Sequence, residues 1–230
     1  MRLRLTGLLL AATFVFTGCA TAPPTAQPLR SEALATQGTR IGVALSTLPK
    51  PDTQFPGASC LLCYATASAV NSSLTTQVRT FTTQDLVAVR DDLAKLLRER
   101  GMEPVLIAQE IDLERLPEGS KDAGRARRDF TALRSAHKID KLLVVQVDGL
   151  GVTRNYSAYV PTGDPRATLN GAGYIVDLAT QKLDWYLPLA VSVPAADNKW
   201  DEPPKYPGVT NAYFQALEMA MDQLKQPLRK

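Results

Sequence analysis

The apolar positions of this chain change period several times between residues 40 and 226, and each change marks a predicted element. Ile41, Val43 and Leu45 alternate with smaller residues, the period of a strand, and Leu48-Pro49 ends the run. The stretch from Cys60 to about Val78 is rich in Ala, Ser and Thr and reads as a loosely packed helix. From about Gln84 to Arg100 the helical signal is strong, with Leu86, Val89, Leu93, Leu96 and Leu97 recurring along one face. Thr82 and Asp85 have the spacing of a capping box, and Gly101 supplies the stop. Asp91, Asp92, Lys95, Arg98 and Glu99 fill the opposite face, so this helix is expected to lie on a sheet with its charges in water. Val105 to Ala108 is a short buried strand, which completes a β-α-β unit of the usual right-handed kind.

Further along, Phe130 and Leu133 mark a helix, and Leu142 to Val147 is apolar on both faces, as a central strand requires. Beyond residue 166 the pattern becomes antiparallel. Tyr174, Val176 and Leu178 lead into a polar turn over residues 179–182, and Leu183, Trp185, Leu187, Leu189, Val191 and Val193 return on alternate positions. Pro188 has no amide to donate, which places that strand at an edge or a bulge. After a Pro-rich loop over residues 197–208, Phe214, Leu217, Met221 and Leu224 define a last helix, with Thr210 or Asn211 as its cap. The predicted class is α/β: a mixed sheet, first a parallel β-α-β part, then an antiparallel hairpin and a C-terminal helix, without internal repeats. This order, with Asp177-Leu178 before the turn and Leu183-Asp184-Trp185 after it, resembles periplasmic lipoprotein domains of the curli-secretion-channel and penicillin-binding-protein-activator type. The resemblance covers about residues 39–226 and implies a role in assembly or regulation at the cell envelope, although a fold does not determine a function.

The first residues read as an address. Arg2 and Arg4 precede an apolar run from Leu5 to Phe16, the layout of a secretory signal and too short for a bilayer-spanning helix of about 20 residues. Phe16-Thr17-Gly18-Cys19 resembles the lipobox of bacterial lipoproteins, with Phe16 standing where Leu is usual. That resemblance implies cleavage before Cys19 and attachment of diacylglycerol and palmitate-type acyl chains there. Ala20 in place of Asp implies sorting to the outer membrane, with the domain on its periplasmic face. The expected organisation is a signal peptide (1–18), a flexible tether rich in Ala, Thr and Pro (19–38) and one periplasmic α/β domain (39–230).

Composition narrows the function classes. The precursor has 230 residues and a net charge of +3; without residues 1–18, which include Arg2 and Arg4, 212 residues and +1 remain. The one dense basic run, Arg125, Arg127 and Arg128, suits a solvated face, so no nucleic-acid partner is expected. Cys60 and Cys63 are separated by two residues, and the exported compartment expected from the N-terminus is oxidising. A structural disulfide or two buried thiols is the expected role, with a thioredoxin-like oxidoreductase as the alternative. His137 is the only histidine, which argues against a triad, and no cofactor or metal is expected. Gly149-Leu150-Gly151 and Gly171-Ala172-Gly173 lack the third glycine of a dinucleotide loop and fit turns or bulges. Asp148, Asp164, Asp177 and Asp184 read as solvated or turn carboxylates. Aromatic residues in two loops, Tyr156 and Tyr159 in one and Trp200 and Tyr206 in the other, are candidates for contact with a partner, an envelope protein or a peptidoglycan component. The expectation is therefore a lipid-anchored, non-enzymatic accessory protein of the envelope. The alternatives are a thiol oxidoreductase using Cys60 and Cys63, and an oligomeric secretion or assembly subunit.

Overall fold

A computed structural model describes residues 25–195 and 200–229. The signal segment, Cys19 and the first part of the aromatic loop lie outside them. The elements in chain order are β1 (Arg40–Leu45), β2 (Asp52–Gln54), α1 (Leu61–Val70), α2 (Ser72–Val78), α3 (Gln84–Glu99), β3 (Glu103–Leu106), α4 (Thr131–His137), β4 (Lys141–Thr153), β5 (Tyr156–Ser157), β6 (Val160–Pro161), β7 (Arg166–Asp177), β8 (Lys182–Pro194) and α5 (Pro207–Lys225). One sheet runs in the order β3-β1-β4-β7-β8, with β2 also paired to β4, while β5 and β6 form a small separate hairpin. β1 is parallel to β3 and β4, and the β4-β7 and β7-β8 pairs are antiparallel. The mixed sheet, the late hairpin and the C-terminal helix are those expected of the pattern.

The sheet is buried on both sides because β4 is apolar on both sides. Leu143 and Val145 face α3 and α5, where Leu86, Leu93, Leu97, Tyr213 and Leu217 close the larger core. Leu142 and Val144 face the opposite way, against Ile107, Phe130, Ile139 and Val176. Complete burial of side chains of this size is worth about 1.5–3 kcal/mol each.

Five local expectations need revision. The segment from Cys60 to Val78 is two helices, because Asn71 breaks the turn with φ −105° and ψ 16°. Its buried amide donates to Ala67 O at 2.7 Å and to the Tyr156 hydroxyl at 2.6 Å. At the start of α3 the Thr82 hydroxyl accepts from Gln84 N–H, and Asp85 takes no part in a capping box. The last helix begins at Pro207 rather than after Thr210 or Asn211, since proline is already set for the first helical position, and Tyr206 precedes it in a left-handed conformation. Part of the segment expected as a tether, residues 19–38, is placed on the domain. Gln27 exchanges backbone hydrogen bonds with Tyr186 at 2.8 and 3.0 Å, and Leu34, in a 3-10 turn (Ser31–Leu34), is buried.

The fifth revision concerns β8. Ile175 pairs with Trp185 but Val176 pairs with Leu183, so Asp184 is an extra residue in a bulge. Leu183 therefore joins the core under Phe130, while Trp185, Leu189, Val191 and Val193 join the other. Asp184 is then no solvated carboxylate, for it is largely buried against Lys141, with Arg30 at 4.0 Å. Asp177 is a turn carboxylate, accepting from the amides of Ala179 and Thr180 and from the Thr180 hydroxyl. Burial pushes its pKa up, but the Thr180 donors and Lys141 outweigh that and hold it below the ordinary value.

Gly173 sits where α5 crosses β7, and a Cβ there would run into Leu224 and Trp185. Gly173→Ala is expected to lose about 1–3 kcal/mol through overpacking, read as a lower urea midpoint with unchanged slope.

Candidate functional site

The strand order creates the site. β1 lies between β3 and β4; the chain crosses from β1 to β3 on one side and then from β3 back over β1 to β4 on the other, so the carboxyl end of β1 is a topological switch point. In open α/β sheets the crevice at such a point is where ligands bind. Here β1 ends at Leu45, the chain leaves the sheet, and it returns to β4 only at the Asp52–Gly151 pair. The gap is finished by Ser46, whose hydroxyl accepts from Val147 N–H at 3.1 Å. Above it opens a cleft of about 610 Å³, roofed by the connection between β3 and α4.

Tyr174 and Tyr186 form the floor. They are direct cross-strand partners, with rings 6.1 Å apart and 26° from parallel, and Phe130 lies 6.3 Å from Tyr174. Burial raises the pKa of Tyr174, helped by Tyr186 and Asp148 and opposed by Arg128. Tyr186 is also raised, by burial and then by Asp148, against Arg127. Both phenols stay protonated at neutral pH and serve as hydrogen-bonding groups. The Tyr174 hydroxyl donates to Gln146 Oε1 at 3.2 Å, and Gln146 Nε2 donates to Asp148 at 2.6 Å. Charges of both signs line the cleft, Arg125, Arg127 and Arg128 together with Asp112, Glu114 and Asp148. Arg125 donates to Thr180 O at 2.7 Å and Arg128 to Leu116 O at 3.4 Å, so the basic run read as a solvated face in fact braces the cleft roof. An aromatic floor within a mixed-charge rim can hold a partly apolar segment and satisfy both donors and acceptors along it.

The four loop aromatics do not assemble into one surface. Tyr206 is buried, and Tyr156 is buried under α1, held by Asn71. Trp200 is half-buried, its Nε1–H donating to Asp164 at 2.9 Å and its ring 4.5 Å from the Arg154 guanidinium. Of the four, Tyr159 alone is exposed. These loops spend their aromatic area on their own domain. Cys60 and Cys63 are joined by a disulfide, and Cys63 N–H donates to Cys60 Sγ at 2.9 Å, so Cys60 caps α1. His137 ends α4, away from the cleft. Gly151 lies where the β2 backbone approaches β4 too closely for a side chain, and Gly149 follows a register shift. Among the described residues, no group of three or more His, Cys, Asp or Glu side chains converges to hold a metal ion.

No family model and no curated protein matches the sequence. Among solved structures the chain is similar to a Xanthomonas campestris protein of the DUF330 family, at 14% identity and a TM-score of 0.42, over 87% of this chain and 90% of that one. It is also similar to a PelC dodecamer from Paraburkholderia phytofirmans (10% identity, TM-score 0.37, 90% and 96% covered). A third is the lipoprotein GNA1162 from Neisseria meningitidis (11%, 0.36, 79% and 99%). Likenesses this distant carry no argument about function, which rests on the cleft itself.

Trp200→Ala removes a hydrogen bond to a carboxylate and a cation-π contact, and is expected to cost about 2 kcal/mol of stability. Trp200→Phe, which keeps the ring over Arg154, is expected to cost about half as much in the same urea titration.

Proposed function

We propose that the chain is a lipid-anchored accessory protein on the periplasmic face of the outer membrane, and that its cleft holds an extended peptide segment of an envelope partner. The cleft at the β1 switch point, floored by Tyr174 and Tyr186, is the observation that carries this reading. A polypeptide offers what that lining asks for: apolar or aromatic side chains for the tyrosine floor and for Leu48 and Leu113, and amides, carbonyls and charged side chains for the polar rim. The anchor is supported by the sequence alone, through Arg2, Arg4, the run from Leu5 to Phe16, and Cys19. A second reading, thiol-disulfide exchange, is favoured by one observation: Cys60 is exposed at the N-terminus of α1 while Cys63 is buried behind it.

Crosslinked envelopes from cells producing the wild type or Tyr186→Ala test the cleft. An aromatic anchor at the centre of an interface is worth about 2 kcal/mol, so the variant is expected to recover its partner about 30-fold less well while its circular dichroism at growth temperature stays that of the folded wild type. Equal recovery sinks the assignment. Labelled palmitate is expected to enter the wild type and not Cys19→Ser, and equal labelling would refute the anchor. Catalytic reduction of insulin by the purified protein, lost in Cys60→Ser, would replace the binding role with the exchange reading.

A further inference from the structure

Two segments of the chain carry no charge. Residues 53–78 contain no Asp, Glu, Lys or Arg, although 21% of the chain is charged and about five would be expected over 26 residues. The same holds from Asn155 to Gly163. The fold brings these two segments together. Phe55 packs its ring 6.1 Å from Tyr64 and 5.9 Å from Tyr156, and Ala58, Cys63 and Ala67 complete that small core. Asn71 reaches Tyr156, and the Tyr159 hydroxyl lies 3.6 Å from Cys60 Sγ.

What this end shows to solvent is apolar. Six of the nine large hydrophobic side chains exposed among the described residues are here: Leu61, Leu62, Tyr64, Val70, Tyr159 and Val160. Leu61 is 86% exposed and Leu62 68%. Side chains so placed mark a contact surface rather than a solvated face. No helix of the described residues is long and apolar enough to cross a membrane.

The path of the chain points to what covers it. Gln27 is bridged to Tyr186 in antiparallel sense, so the chain upstream of Gln27 heads toward the Pro194 end of β8. That end, shared by Thr153 of β4 and Arg166 of β7, is where β2 leads into α1 and β4 leads into the β5-β6 hairpin. Cys19 lies eight residues before Gln27, a reach of about 28 Å when extended. From Tyr186 to Pro194 the strand covers about 26 Å. A lipid on Cys19 can therefore stand level with the end these segments form.

We propose that this end is a membrane-contact surface, with Leu61, Leu62 and Val160 entering the boundary between headgroups and acyl chains of the bilayer that holds Cys19. This rests on the acylation proposed above. Tyr64 and Tyr159 lie at headgroup level, where an aromatic ring with one polar end is favoured. Arg79 and Arg154 flank the uncharged segments in sequence, and both are engaged, Arg79 with Asp52 at 3.0 Å and Arg154 with the buried Asn71 at 2.9 Å.

The test places a photoreactive benzophenone amino acid at position 62 or, as a control on another exposed apolar site, at position 219 of the full chain in cells. Lipid adducts are expected at 62 and not at 219, and Leu61→Glu is expected to abolish them without lowering the melting temperature. Adducts at 62 to a second copy or to another protein overturn the proposal, as does their absence. Palmitate labelling of the same samples separates the two readings. Acylated protein without lipid adducts overturns the contact surface alone, whereas adducts on unacylated protein support the surface and refute the anchor.

Discussion

Strand β4 imposes the constraint on which the other parts depend. It runs thirteen residues, and on its parallel edge two different strands pair with it, β1 as far as Val145 and β2 from Gly151 onward. A backbone group left bare within a sheet costs as much as a lost hydrogen bond, so the interval between them must be filled. Ser46 fills it with a side-chain hydroxyl at Val147. This detour of the chain opens the cleft on one face of the sheet and sends residues 52–78 to one end of it. The site and that end thus share one origin.

A single extra residue in β8 has comparable reach. The bulge at Asp184 changes which residues face each other across the hairpin, setting Tyr186 rather than Trp185 opposite Tyr174. Without it the indole would fall on the cleft side and the larger core would lose one of its biggest side chains. The bulged residue itself enters a low-dielectric site where an unpaired carboxylate is costly, and Lys141 offsets that cost. Arg30 approaches the same carboxylate from the N-terminal segment, which helps fix that segment along β8.

Much of the fold was legible because long periodic segments leave little choice. Leu86, Val89, Leu93 and Leu97 in α3 can share a face only as a helix, and Leu187 to Val193 can share one only as a strand. The short elements were not legible. β2, β5 and β6 have two or three residues each, and their pairing is set by where β4 happens to end. Alternation alone puts Leu183 on the face of Trp185, because it cannot register an inserted residue. The cleft draws on six separated stretches, represented by Ser46, Asp112, Arg127, Gln146, Tyr174 and Tyr186, and no local motif joins them. The available signal was topological: a strand with neighbours on both sides, reached by crossovers in opposite directions. For the loop aromatics, residue type suggested recognition, while the neighbours that use them, Asp164, Arg154 and Asn71, are remote in sequence from Trp200 or Tyr156.

The bridge between Gln27 and Tyr186 also sets how crowded the domain's surroundings are. With Cys19 acylated, a lead of eight residues confines the domain's attachment point to a half-sphere of about 28 Å radius, equivalent to an effective concentration on the order of tens of millimolar. At that density, contacts with individual dissociation constants in the millimolar range are mostly occupied.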